Sequence, residues 1–159
     1  MEINSWFECK VKMDVMKDDG TTKPETLTYL VDALNFTEAE SRIIEEVKPY
    51  TSGNLDVTDI KRVKYAEIFA SDNDMADKWY KVRCLFMTID EKTQTEKEIA
   101  NNMLVQAGTF HEAVRNFDNG MKGSLMDYRI ATLQETKIMD VFRYVARSRE
   151  EAKPEYEVS

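Results

Sequence analysis

"NSWFECKVK" (residues 4–12) and "DKWYKVRCLF" (residues 77–86) open two stretches of the chain in the same way. Laying Trp6 on Trp79 puts Phe7 on Tyr80 and Lys10 on Arg83, at an offset of 73 residues. Further on, "YLVDALNFTEAE" (29–40) meets "MLVQAGTFHEAV" (103–114) with one residue inserted. There Leu30, Val31, Ala33, Phe36, Glu38 and Ala39 fall on the identical residues Leu104, Val105, Ala107, Phe110, Glu112 and Ala113. The first offset then returns and sets Ile60, Glu67 and Phe69 on Leu133, Asp140 and Phe142. Matches in the same order along the whole chain mark a duplicated unit, and self-similarity at a fixed period constrains a fold more than any single motif does.

Each unit reads alike. "WFECKVKMDV" alternates Phe7, Cys9, Val11 and Met13 with Glu8, Lys10, Lys12 and Asp14, the period of a half-buried strand. Its copy alternates Tyr80, Val82, Cys84 and Phe86 with Lys81 and Arg83; Leu85 and Met87 then make both faces apolar, as in a more central strand. Turns follow at "KDDGTTKPE" and "DEKTQTEKE", where Asp19-Gly20 reads as a hairpin pair. "TLTYLVDAL" and "IANNMLVQA" are second strands. Asn35 and Thr37 both qualify as cap of the first helix. The repeat favours Asn35, whose partner is Thr109, because each precedes a glutamate, Glu38 or Glu112, by three residues. Phe36, Ala39, Ile43, Val47 and Phe110, Ala113, Phe117, Met121 recur at helical spacing, and Gly53 and Gly123 stand where the chain leaves the helices. "LDVTDIKRVKYAEIFA" and "DYRIATLQETKIMDVF" are third strand regions, bent or split around Lys61–Val63 and Glu135–Lys137.

The expected fold is α+β: two tandem ββαβ repeats related by a pseudo-twofold, mainly antiparallel sheet with one helix per repeat packed on it. The boundaries are 1–70 for the first repeat, 71–78 for a polar connector, 79–142 for the second repeat and 143–159 for a C-terminal extension, partly disordered.

The chain has 159 residues, enough to bury a core without disulfides or metal. Its net charge of −8 disfavours broad duplex DNA binding but leaves room for a local basic face, a basic protein partner or mimicry of nucleic acid. "MEINSWFECK" lacks the pattern of a signal peptide, and no apolar run approaches the ~18 residues of a membrane span. The expectation is a cytoplasmic protein, of a bacterial cell or a phage-infected host, with no membrane partner.

Few residues suggest chemistry. His111 is the single histidine, at the start of the second helix with no nucleophile motif to serve. Cys9 and Cys84 align with Val82 and Val11, so they read as packing thiols. "DNDMAD" (Asp72, Asp74, Asp77) lacks the glycine and distal glutamate of a calcium loop. No phosphate-binding or metalloprotease motif occurs, so no enzyme activity, cofactor or metal is expected. The constellation that stands out joins Trp6, Lys10 and Lys12 to Trp79, Lys81 and Arg83, with Lys61, Arg62 and Lys64 extending the face. Rings beside cations on a sheet suit single-stranded nucleic acid, where bases stack and phosphates pair. The same residues suit a tryptophan that covers the edge of a core and lysines that keep a sheet soluble.

"WFECKV", "YLVDALNFTEAESRIIEE", "IKRVKYAEIF", "WYKVR" and "ETKIMDVF" together resemble a domain-of-unknown-function family of Bacteroides-type bacteria, their mobile elements and phages, over about Trp6 to Phe142. The resemblance implies no activity and no catalytic residues. It implies a prophage or phage setting, in which small acidic proteins act as accessory or host-interaction factors.

The reading that follows is a non-catalytic accessory binding module with a protein or nucleic-acid partner. Its rivals are a single-stranded nucleic acid binder, an acidic inhibitor of a host defence or nucleic-acid enzyme, and a small-molecule binder between the repeats. An exposed sheet edge leaves a homodimer open.

Overall fold

The computed structural model describes residues 5–51 and 53–143. The extension from residue 144 onward therefore lies outside the described residues. The chain runs β1 (Ser5–Met16), β2 (Thr22–Ala33), α1 (Phe36–Val47), a 3-10 turn (Lys48–Tyr50), β3 (Leu55–Val63), β4 (Glu67–Phe69), β5 (Lys78–Asp90), β6 (Thr95–Ala107), α2 (Phe110–Gly120), β7 (Tyr128–Glu135) and β8 (Ile138–Phe142). The fold is α+β, with two mainly antiparallel four-stranded sheets ordered β3-β1-β2-β8 and β4-β6-β5-β7. Each third strand region is indeed split, into β3 and β4 or β7 and β8.

The alternation in β1 works as its pattern implies. Phe7, Cys9, Val11 and Met13 are buried and pack with Ala39, Ile43 and Val47 of α1. In the second core, Tyr80, Val82 and Cys84 do the same with Ala113 and Phe117 of α2. Both opening strands are central, so the apolar far half of β5 marks no difference in position from β1. β3 pairs antiparallel with β1 on the side away from β2, so α1 carries the chain across β1.

The duplication extends to backbone irregularity. The β1–β3 register shifts between Lys10 and Val11, and the β5–β7 register shifts between Arg83 and Cys84, the equivalent place. The extra residues are Thr58 and Ala131, and the Thr58 hydroxyl donates to the Lys10 carbonyl at 3.2 Å. A bulge twists an edge strand away from further pairing.

Both helices start at the cap that the repeat favours. The Asn35 side chain accepts from the Glu38 N–H at 2.9 Å, and the Thr109 hydroxyl accepts from the Glu112 N–H at 3.1 Å. Each glutamate reaches back one residue beyond the cap, accepting from the N–H of Leu34 or Gly108. Gly20 takes φ +87, but Asp19 does not have positive φ, so the Asp-Gly pair makes a single left-handed step and not a two-residue primed turn. Asp19 instead accepts from both the N–H and the hydroxyl of Thr21, which hold its carboxyl below its ordinary pKa.

Sequence repeats and compact units divide the chain differently. β4 ends the first repeat but pairs parallel with β6, and β8 ends the second but pairs parallel with β2. The pairings are equivalent: Ile68 and Phe69 lie beside Leu104 and Val105, as Val141 and Phe142 lie beside Leu30 and Val31. One unit is therefore residues 5–63 with 138–143 and the other 64–137, so 64–70 fall outside the unit that holds the rest of their repeat. Among the described residues, no helix is long and apolar enough to cross a membrane.

Candidate functional site

The outer face of the first sheet, away from α1, carries Trp6, Lys10, Lys12 and Lys61, but each cation has a carboxylate close by. Lys10 pairs across the ladder with Asp59, Lys12 with Asp56, and the Lys61 ammonium lies 3.9 Å from Glu8. Opposite charges set across from one another in a ladder weaken the local field that a polyanion would need. Trp6 is half-buried, with the Arg143 guanidinium carbon 5.5 Å from the centre of its ring.

Arg62 does not extend this face. It pairs with Phe7 on the helix side of the sheet, and its guanidinium carbon sits 5.3 Å from the Phe7 ring and 5.4 Å from Phe36. Neighbours in a strand point to opposite faces, so Lys61 and Arg62 cannot share one. Lys64 is exposed beyond the end of β3.

In the second sheet Trp79 is 3% exposed and offers no ring to a base. Its backbone carbonyl accepts from both the N–H and the hydroxyl of Thr136. Lys81 is half-buried opposite Gln134 and Leu104; Arg83 is exposed opposite Thr132 and Asn102. Neither has a carboxylate directly across, so these two cations are the part of the expected basic face that stays unneutralised within its own ladder.

The thiols are packing groups. Burial first, then the Glu8 and Asp59 charges, pushes Cys9 up to about 12, and burial alone raises Cys84. His111 is exposed. The stretch "DNDMAD" is a chain of turns: Asn73 N–H donates to the Ser71 hydroxyl and Met75 N–H to the Asn73 side chain. Among the described residues, no three His, Cys, Asp or Glu side chains stand close enough to hold a metal ion.

A feature that the pattern did not mark lies at the start of each helix. Phe36 and Phe110 read as core positions, yet they are 48% and 50% exposed. Each rests against the aromatic that opens its sheet, Phe36 on Phe7 at 4.9 Å and Phe110 on Tyr80 at 5.0 Å between ring centres. Both stand in the first turn, where a correct helical phase still leaves one side of the ring in solvent. Identity between the repeats does not single out these rings, since Glu38 and the buried Ala39 are matched by Glu112 and Ala113 as well.

Two such corners on two helix-covered, mainly antiparallel sheets define a duplicated α+β protein with half-exposed aromatic rings at equivalent places. The chain belongs to a domain-of-unknown-function family, DUF4494, whose model matches residues 5–144. No curated protein matches it.

Proposed function

We propose that the chain is a non-catalytic accessory binding module whose partner is a protein, gripped by the aromatic corners of Phe36 and Phe110. The observation that carries this reading is the pair of half-exposed rings at equivalent positions, each held from behind by another aromatic. A rigid aromatic supplies contact area with little entropy to lose, which is why such rings dominate interface energetics. In the first unit Arg62 adds a second anchor beside Phe36. The likeness of motifs described above supports a setting in Bacteroides-type bacteria, their mobile elements or phages, where the module serves as an accessory factor.

Affinity purification from such a host lysate, with and without nuclease, tests the proposal. The expected result is a stoichiometric protein that survives nuclease and is lost from the Phe36→Ala/Phe110→Ala variant. A partner retained by that variant would overturn it. The single-stranded nucleic acid reading keeps one support, the unneutralised pair Lys81 and Arg83. It requires nuclease-sensitive, salt-dependent retention that falls on Arg83→Ala.

A further inference from the structure

We propose that an open groove between β4 and the end of α2 receives the guanidinium of an arginine side chain on a protein partner. The groove has a volume of about 500 Å³ and includes Phe69, Ser71, Asp72, Asn116, Asn119 and Gly120 in its lining. It rests on the reading above only in taking the partner to be a protein.

The chemistry of the lining suits a group that donates hydrogen bonds and carries charge. Phe69 supplies an aromatic ring to the lining, a group to which a guanidinium is attracted. Gly120 is what lets that ring lie against the helix, because a Cβ there would stand 2.7 Å from Phe69 Cδ1. Asp72 supplies an exposed carboxylate. The Asn116 amide nitrogen is committed to the Gln106 carbonyl at 3.0 Å, so its oxygen is the atom left to accept. Asn119 and Gly120 are the last residues of α2, where the carbonyl end of the helix favours a cation. Gln106 braces both walls, since its side-chain oxygen also accepts from the Ser71 N–H at 2.9 Å. The groove is thus held in shape before any ligand arrives.

The other repeat indicates which group fits. Asn116 and Gly120 align with Arg42 and Glu46, at the offset of 74 set by the inserted residue (116 − 42 and 120 − 46). Arg42 is only 8% exposed and lies 3.9 Å from the Glu46 carboxylate. The first unit therefore buries its own guanidinium beside a carboxylate at this place on the helix. The second has two short residues there, with a groove beside them and Asp72 at its rim.

The test is an amide NMR titration of the full chain with N-acetyl-arginine amide, with the uncharged isostere N-acetyl-citrulline amide as control. Saturable shifts confined to residues 68–72 and 116–120 are expected with the first and not the second, with a dissociation constant on the order of millimolar. Asp72→Asn should weaken binding at least about threefold through loss of a charge-assisted bond. Asn116→Arg should abolish it by filling the groove from within, while the thermal transition shows the fold intact. No saturation by about 20 mM, an equal response to citrulline, or shifts only elsewhere would each overturn the proposal. Free arginine binding more than about tenfold tighter than the blocked form would point to a metabolite and also overturn it. The Phe36→Ala/Phe110→Ala variant leaves this titration unchanged, so failure here and failure of the aromatic corners are separable.

Discussion

Burial holds the Cys9 thiol up at about 12, and burial together with the bond to Asp118 holds the Tyr128 phenol up at about 12. Both groups are neutral in the fold and titrate lower when the chain unfolds, from ordinary values of 9.0 and 10.0. Their contribution to stability is complete below those values and is lost as pH rises through the folded ones. The urea midpoint should therefore hold to about pH 9 and fall between pH 9 and 12. Cys9→Val should flatten the early part of that fall without disturbing the core, because Val82 fills the equivalent place in the other repeat. A midpoint independent of pH over this window would refute the assignment. Gln94 offers a second check: it sits at φ 58, where Gly20 stands in the first hairpin at φ 87. Gln94→Gly should raise stability by up to ~1 kcal/mol, less the bond its side chain donates to the Glu91 carbonyl, and Gly20→Ala should lower it by ~1 kcal/mol. The thiols were legible at this scale because the repeat exchanges each with valine. Arg62 was not, since reading its region as bent or split obscured the alternation that sends it away from Lys61.

At the scale of elements, the caps are the most transferable signal. Asn35→Ala and Thr109→Ala should each cost about 1 kcal/mol in chemical denaturation, while Asn35→Thr should be nearly neutral, because the other helix already uses threonine there. Gly120 reverses the usual rule. Alanine normally favours a helix over glycine by roughly 1 kcal/mol, but here its Cβ would meet three carbons of the Phe69 ring at 2.7–3.0 Å. Gly120→Ala should lower the melting temperature and displace Phe69, the aromatic residue in the lining of the proposed arginine groove; an unchanged or higher melting temperature would show that the ring yields freely. Strands, helices and caps could be read because each depends on neighbours in sequence. The exposure of Phe36 and Phe110 could not, because helical phase fixes a direction and says nothing of where the supporting sheet stops. The carboxylates facing those lysines were hidden for a related reason: Asp59, Asp56 and Glu8 come opposite Lys10, Lys12 and Lys61 only once register is fixed.

Over the whole molecule, the exchange of terminal strands makes chain order a poor guide to which sheet a segment supports. A duplicated sequence implies two self-contained repeats, and nothing in the local pattern of "EIF" or "IMDVF" says which sheet edge each will join, since β2 and β6 present equivalent apolar partners. The short stretch Lys64–Ala66 decides the matter for β4, where the Ala66 N–H donates to the Asn102 carbonyl of β6 at 2.8 Å. The two divisions of the chain predict different outcomes for one truncation. Ending the chain after Lys137 removes β8, which a repeat-by-repeat assembly assigns to the sheet of β5 and β6. In the observed topology the loss falls on β2, where Leu30 and Val31 lose their parallel neighbours and Tyr29 loses the Phe142 ring 5.8 Å away. Hydrogen exchange should therefore accelerate at Thr28–Val31 in the truncated chain, with the equivalent stretch Asn102–Val105 of β6 keeping its protection from β4 and β5. Acceleration at β6 with β2 unaffected would mean that β8 belongs to the sheet of its own repeat.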